Sequence, residues 1–272
     1  MVHGAGGQPW DDAGVAGSGS TSGRAVRAGA EPFRASGGPV GVLFCHGFTG
    51  SPASLRPWAQ AVADAGHSVE LPLLPGHGTQ WKDLAATRWD DWFGAVEQAL
   101  LELSTRCREV FVFGLSMGGT LTLALAERHP DQIAGIVLVN PIVLSRNRAM
   151  VALPLLRHVV PSLPGIVNDV KRPGQDEVGY ERVPLQALHS LSQAWPGVRD
   201  GLPSLTLPVL LLHSTVDHVV EPENSTYVVA HLGSTDVTEV ELPDSYHVAT
   251  LDNDLPTIIG RSLAFVERVA GP

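Results

Sequence analysis

The stretch "REVFVFGLSMGGTLTLALAERHP", residues 108–130, decides the fold. It opens with an apolar run of β-branched and aromatic residues, which reads as a buried strand. It closes with a run rich in Leu and Ala, which reads as a helix. Between the two stands Ser116, with Gly114 two residues before it and Gly118 and Gly119 just after. Gly-x-Ser-x-Gly between a strand and a helix is the signature of a nucleophile elbow. The turn is so tight that the residues two before and two after the serine must be small. Its geometry lifts the serine hydroxyl above the carboxyl edge of the sheet. It also brings the N–H of Met117 and the N-terminus of the following helix near any oxyanion formed there.

Strands and helices alternate outward from this turn. "PVGVLFCHG" (39–47) reads as a strand buried on both faces, "SLRPWAQAVADAG" (54–66) as a helix closed by Gly66, and "HSVELPLLPGHG" (67–78) as a strand entering a Pro/Gly loop. A long amphipathic helix covers 88–106, and "IAGIVLVNP" (133–141) is the next strand. From about Ile142 to Leu207 no strand is expected, only short apolar pieces broken by prolines and some helix-like polar pieces. Alternation resumes with a strand at 207–214, a helix at 222–232, a strand at 238–245 and a final helix at 256–270. The reading is an α/β protein: a mostly parallel, doubly wound sheet flanked by helices, with a cap or lid inserted over 142–207. The core is then 31–141 and 208–272, and residues 1–30, rich in Gly, Ala and Ser, are expected to be a disordered extension.

Composition narrows the function. Of 272 residues 44% are apolar, enough for a sizeable core, and the formal net charge is −10. That charge argues against nucleic acid and against an anionic membrane surface as the main partner. Cys45 and Cys107 both lie in or beside apolar runs and read as free thiols. The chain carries no apolar run of transmembrane length and no pattern of a secretory signal, so the expectation is a cytoplasmic enzyme, peripheral to a membrane at most. No metal-ligand cluster or phosphate-cradling loop stands out, so no cofactor is implied.

A serine nucleophile needs a base, and the base an orienting acid, in the chain order Ser, acid, His. Asp217 follows the strand 207–214, and His247 follows the next strand, so both reach the same sheet edge as Ser116. Asp244 is a rival orienter, but it stands only three residues from His247 in the same loop. His213 lies within a strand and reads as a core residue with a satisfied ring. His218 is a poorer base, since nothing upstream is expected to orient it. Asp252 and Asp254 read as surface or capping groups. A second oxyanion donor is expected from the N–H of Phe48, where "HGF" lets the chain turn over the serine.

Taken together, "GVLFCHGFTGSPASLRPWA", "LPLLPGHGT", "FVFGLSMGGTLTLALAERHP", "DHVVEP" and "SYHVATLDND" resemble a bacterial monoacylglycerol lipase of the α/β-hydrolase superfamily, and less closely the small bacterial carboxylesterases. The resemblance runs from about Ala30 to Val269. It implies an α/β-hydrolase with a lid after the sixth strand. By position it implies Ser116 as nucleophile, Asp217 as orienting acid, His247 as base, and Phe48 and Met117 as oxyanion donors. It also implies that Glu177, in the lid, faces the glycerol end of a small lipid ester; transient contact between lid and lipid surface is a separate expectation. Related enzymes that place Asp or Cys at the elbow are disfavoured by Ser116. A general carboxylesterase or thioesterase is the alternative, and a receptor on a hydrolase fold is disfavoured because every triad and oxyanion position is filled.

Overall fold

The computed structural model describes residues 24–271. The sheet begins with β1 (Phe33–Ala35) and β2 (Val40–Cys45), followed by helix α1 (Arg56–Asp64) and β3 (Ser68–Leu71). Helices α2 (Trp81–Ala85) and α3 (Trp89–Ser104) lead to β4 (Glu109–Leu115), α4 (Met117–Arg128) and β5 (Gly135–Val139). The insertion then holds α5 (Ala149–Leu156), β6 (Ser162–Pro164), β7 (Arg182–Pro184) and α6 (Leu185–Gly201). The chain returns to the sheet with β8 (Val209–Ser214), α7 (Glu223–His231), β9 (Val237–Leu242) and α8 (Leu255–Ala270). The seven-stranded sheet has the order β1-β3-β2-β4-β5-β8-β9, and only the edge strand β1 runs antiparallel to its neighbour.

The continuous apolar runs that announce the strands arise because each strand feeds two cores. Side chains alternate across a strand. Leu43, Val110, Val112, Leu138 and Leu211 therefore face one helical layer, with Trp92 of α3, Leu121 of α4 and Trp195 of α6. Their neighbours Val42, Phe44, Phe113, Val139 and Leu212 face the other, with Trp58 of α1 and Phe265 of α8. Trp58 stacks on Phe113 at 5.0 Å between centroids and meets Phe44 edge-on at 5.2 Å. Truncating a ring so enclosed as Phe113 to Ala costs about 3–5 kcal/mol.

The insertion departs from expectation in three ways. It follows the fifth strand in chain order, not the sixth. It contains strand structure after all, because β6 and β7 pair antiparallel as a short ribbon. Its last part, α6, is a core helix: Ala187, Leu191, Trp195 and Val198 are buried in the same cluster as Leu121 and Val209. The sequence shows only helix-like polar pieces here, interrupted by Pro196, and not that one face is core. Most of the expected extension over 1–30 lies outside the described residues, but 24–30 is seated on the core. Ala30 is fully buried, the Arg27 N–H donates to the Gly78 carbonyl (2.7 Å), and the Arg27 guanidinium donates to the Gly179 carbonyl (2.8 Å). Among the described residues no helix is long and apolar enough to cross a membrane.

Candidate active site

Ser116 occupies the turn between β4 and α4 with φ 58° and ψ −119°, a left-handed conformation that costs a non-glycine residue about 1–3 kcal/mol. The surrounding glycines show what enforces it. A Cβ on Gly118 would lie 1.8 Å from the Cys45 carbonyl oxygen, and one on Gly114 would lie 2.3 Å from the Gly118 carbonyl oxygen. One on Gly119 would press on Pro141. The helix start is thus packed directly against β2 and β5, and Ser116 has only one way to turn. Its N–H donates to the Val139 carbonyl (3.0 Å), and the residue keeps 8% of its surface exposed. Met117 is the first residue of α4, where an N–H has no intrahelical acceptor.

The structure brings Asp217 and His247 together: His247 Nδ1 stands 2.7 Å from Asp217 Oδ2. The other Asp217 oxygen accepts the N–H groups of Val219 (2.8 Å) and Val220 (2.7 Å), so the carboxylate is fixed before the histidine meets it. Both side chains are buried, at 8% and 3% exposed. Burial disfavours the imidazolium, but the charge and hydrogen bond of Asp217, with smaller help from Glu177 and Asp169, hold the His247 pKa above its ordinary value. Burial also disfavours the Asp217 carboxylate, and the charge and hydrogen bond of His247 with the two N–H donors override it, so that pKa is lowered.

The loop carrying His247 is tied down at both backbone groups. Its carbonyl accepts from Asn140 Nδ2 (2.8 Å), and its N–H donates to Asp169 Oδ2 (3.1 Å). Asn140 sits just past β5 at φ 44°, and its Oδ1 accepts the N–H of Ser214 (2.7 Å) at the end of β8. The Asn-Pro step after an apolar run was the visible signal for Asn140. Nothing local marked Asp169.

The rival candidates fall elsewhere. Asp244 is on the surface, paired with Lys171 Nζ. His213 Nε2 reaches Glu239 (3.1 Å), while its Nδ1 is buried without a partner, so the ring is only half satisfied. His218 does have an orienter upstream, contrary to expectation: its Nδ1 stands 2.7 Å from Asp169 Oδ1, a contact across 49 positions. Asp252 is fully buried rather than superficial, and accepts the N–H groups of Lys171 (2.6 Å), Arg172 (2.9 Å) and Tyr246 (3.0 Å). Asp254 behaves as a loop cap, accepting from Asp244 N–H and the Ser245 hydroxyl.

Phe48 begins the loop opposite. His46 accepts the Leu74 N–H at Nε2 (3.2 Å), which leaves its proton on Nδ1 for the Gly47 carbonyl (3.0 Å). Burial lowers the His46 pKa to about 4, consistent with a neutral ring. Gly47 packs beside the serine; a Cβ there would lie 3.9 Å from Ser116 Oγ. Glu177 is half-buried. Its Oε1 accepts the Asn168 N–H (2.8 Å), its own N–H donates to Asn168 Oδ1 (2.9 Å), and its carbonyl accepts from the Ser51 hydroxyl (2.9 Å). Burial raises the pKa of its carboxyl, against the opposing Asn168 hydrogen bond and the charge of His247. Cys45 and Cys107 are free thiols, and burial pushes that of Cys45 up to about 12.

A model of the Hydrolase_4 family, described as serine aminopeptidase, S33, matches residues 40–254. The chain belongs to this family. As a Hydrolase_4 member it is similar to the thermostable monoacylglycerol lipase of Bacillus sp. (strain H-257), with 45% identity over 90% of this chain and 98% of that one. It is similar, at 26% identity over 88% and 97%, to the carboxylesterase of Bacillus subtilis (strain 168). Among solved structures, one described under "LipS and LipT, two metagenome-derived lipolytic enzymes" has a TM-score of 0.87 at 40% identity, covering 90% of this chain and all of that one. A soluble variant of monoglyceride lipase from Saccharomyces cerevisiae has a TM-score of 0.72 over 87% and 90%; at 16% identity that likeness is one of fold. The Hydrolase_4 core is thus the expected α/β-hydrolase sheet.

Proposed function

We propose that the chain hydrolyses monoacylglycerols to glycerol and a free fatty acid through an acyl-enzyme. The observation that carries the chemistry is the buried His247–Asp217 pair at the sheet edge from which the elbow projects Ser116. In this reading Ser116 Oγ attacks the ester carbonyl as His247 Nε2 takes its proton, and Asp217 keeps the ring in the required tautomer. The N–H groups of Phe48 and Met117 receive the developing oxyanion. Collapse expels the glycerol oxygen, which takes the proton from His247. Water then repeats the sequence on the acyl-enzyme and releases the fatty acid. The 45% identical monoacylglycerol lipase supports the choice of ester.

Glu177 supports the polar end of the substrate. Its Oε2 lies 3.4 Å from the position a Gly50 Cβ would take, two residues after Phe48, and we read it as bordering the reacting centre. A carboxylate there accepts hydrogen bonds from glycerol hydroxyls. The apolar end and the route to lipid are supported by the insertion between residues 142 and 184, which we read as the lid. Val151, Leu155 and Val159 are 86%, 78% and 77% exposed, and Ile166 is also exposed. Side chains so uncovered suit transient contact with a lipid surface.

The test is a selectivity ratio. Glu177→Ala should lower kcat/KM on a monoacylglycerol by about 1.5–3 kcal/mol, the range for hydrogen bonds to a charged group. It should leave the p-nitrophenyl ester of the same acyl chain nearly unchanged, since that leaving group donates no hydrogen bond. Equal losses on both would remove Glu177 from the glycerol site and favour a general carboxylesterase.

A further inference from the structure

Between β6 and β7 the insertion crosses the rim of the site as a strap. Asp169, at the point of crossing, is only 9% exposed. Four hydrogen bonds converge on it. Its Oδ2 accepts the N–H of His247 (3.1 Å) and the N–H of His218 (3.2 Å). Its Oδ1 faces His218 Nδ1 at 2.7 Å, and its backbone carbonyl accepts the N–H of Val248 (3.0 Å). His218 follows Asp217 directly, and His247 is the partner of Asp217. A single residue of the insertion therefore grips both loops that form the Asp217–His247 pair.

We propose that Asp169 is a positioning residue for His247, through which the insertion becomes part of the catalytic assembly. The inference rests on the triad reading above. The carboxylate suits the task because two N–H donors from separate loops share one oxygen, and bonds to an ionised acceptor are the stronger kind. His218, with its ring edge-on to Tyr246 at 4.6 Å, braces the residue just before His247 from the same carboxylate. Anchoring of the strap does not by itself account for the arrangement. The strap is already held by Asp252 at Lys171 and Arg172, by the Ser51 hydroxyl at Glu177, and by the Tyr180 hydroxyl on the Gly76 carbonyl (2.9 Å). Asp169 adds what those anchors lack, a direct hold on the N–H groups of His247 and Val248.

The experiment compares Asp169→Ala and Asp169→Asn in the full chain. It measures kcat and KM on a monoacylglycerol and on the p-nitrophenyl ester of the same acyl chain, the rate of Ser116 labelling by a small fluorophosphonate, and Tm. Because small misplacements of a catalytic group cost large factors, Asp169→Ala should lower kcat about 10²-fold on both substrates, with labelling falling in step. KM should stay within about twofold, as expected when an interaction of the transition state is lost. Asp169→Asn keeps one oxygen for the His247 N–H and should lose less, about tenfold, in the same two quantities. A strap anchor alone would raise KM and leave labelling by a small probe unchanged. That result overturns the proposal, as do kcat and labelling within about twofold of wild type in either folded variant. If Asp169→Ala does not fold, Asp169→Asn decides by the same criteria. Ser116→Ala and His247→Ala are run alongside. If they keep their labelling or turnover, the triad reading fails and takes this inference with it. If they lose both while the Asp169 variants do not, this inference alone fails.

Discussion

Two histidine–carboxylate pairs stand side by side at the sheet edge, and their hydrogen bonds have the same length. His247 Nδ1 to Asp217 and His218 Nδ1 to Asp169 are both 2.7 Å. They differ in solvent. The His247 ring is 8% exposed and its partner 3%, whereas the His218 side chain is 50% exposed and its partner 9%. A short Nδ1–carboxylate contact therefore does not single out the base. What distinguishes His247, the proposed base, is exclusion of water, which strengthens the electrostatic coupling between ring and carboxylate, together with a loop held by Asn140 at its carbonyl and by Asp169 at its N–H. The exposed pair acts as a brace on that loop.

The comparison can be broken most decisively at the proposed nucleophile. Ser116→Ala should lower kcat about 10⁶-fold, to a residue of about 10³-fold over water, while the protein still folds and binds ester. A variant retaining a tenth of wild-type kcat would end the assignment. Next comes the acid of the buried pair. Asp217→Asn should cost about 10⁴-fold in kcat, whereas Asp244→Asn on the surface should stay within about twofold. The reverse ranking in steady-state kinetics would move the orienting role to Asp244.

The pH profile sharpens the same contrast. His247 must be neutral to act as base, and its pKa is held above 6.5, so kcat/KM should rise with pH through that raised value. In Asp217→Asn the acid limb should move to lower pH, because burial then acts without the opposing carboxylate. The stability linkage has opposite signs for the two partners. The raised His247 pKa contributes stability fully below 6.5, lost as pH rises through the folded value. The lowered Asp217 pKa contributes above 3.8, lost as pH falls through its folded value. Denaturant melts should therefore show the benefit of the pair whole between those two unfolded values, and absent from Asp217→Asn. The smallest effect is expected at the exposed pair. His218→Ala should cost about 1 kcal/mol or less in stability, since polar pairs half open to solvent are worth little, and leave kcat within about threefold. A loss as large as that of Asp217→Asn, in the same assays, would make the two pairs equivalent.

What could be read from the chain alone was what sterics and periodicity enforce at short range. Gly114, Gly118 and Gly119 around Ser116 mark a turn with no room for a Cβ, and the runs at 40–45 and 109–115 mark strands buried on both faces. The order of Ser116, Asp217 and His247 followed, because each stands just past a strand of a parallel sheet and so at its carboxyl edge. Tertiary structure decided the rest. Asp169 finds His247 across 78 positions, and Asp252 finds Lys171 across 81. No local pattern distinguishes such carboxylates from surface ones, because their burial is created by segments that meet only after folding. The same holds for α6, whose apolar face is legible as core only once α4 lies against it, and for residues 24–30, whose anchors at Gly78 and Gly179 belong to a distant loop and the strap.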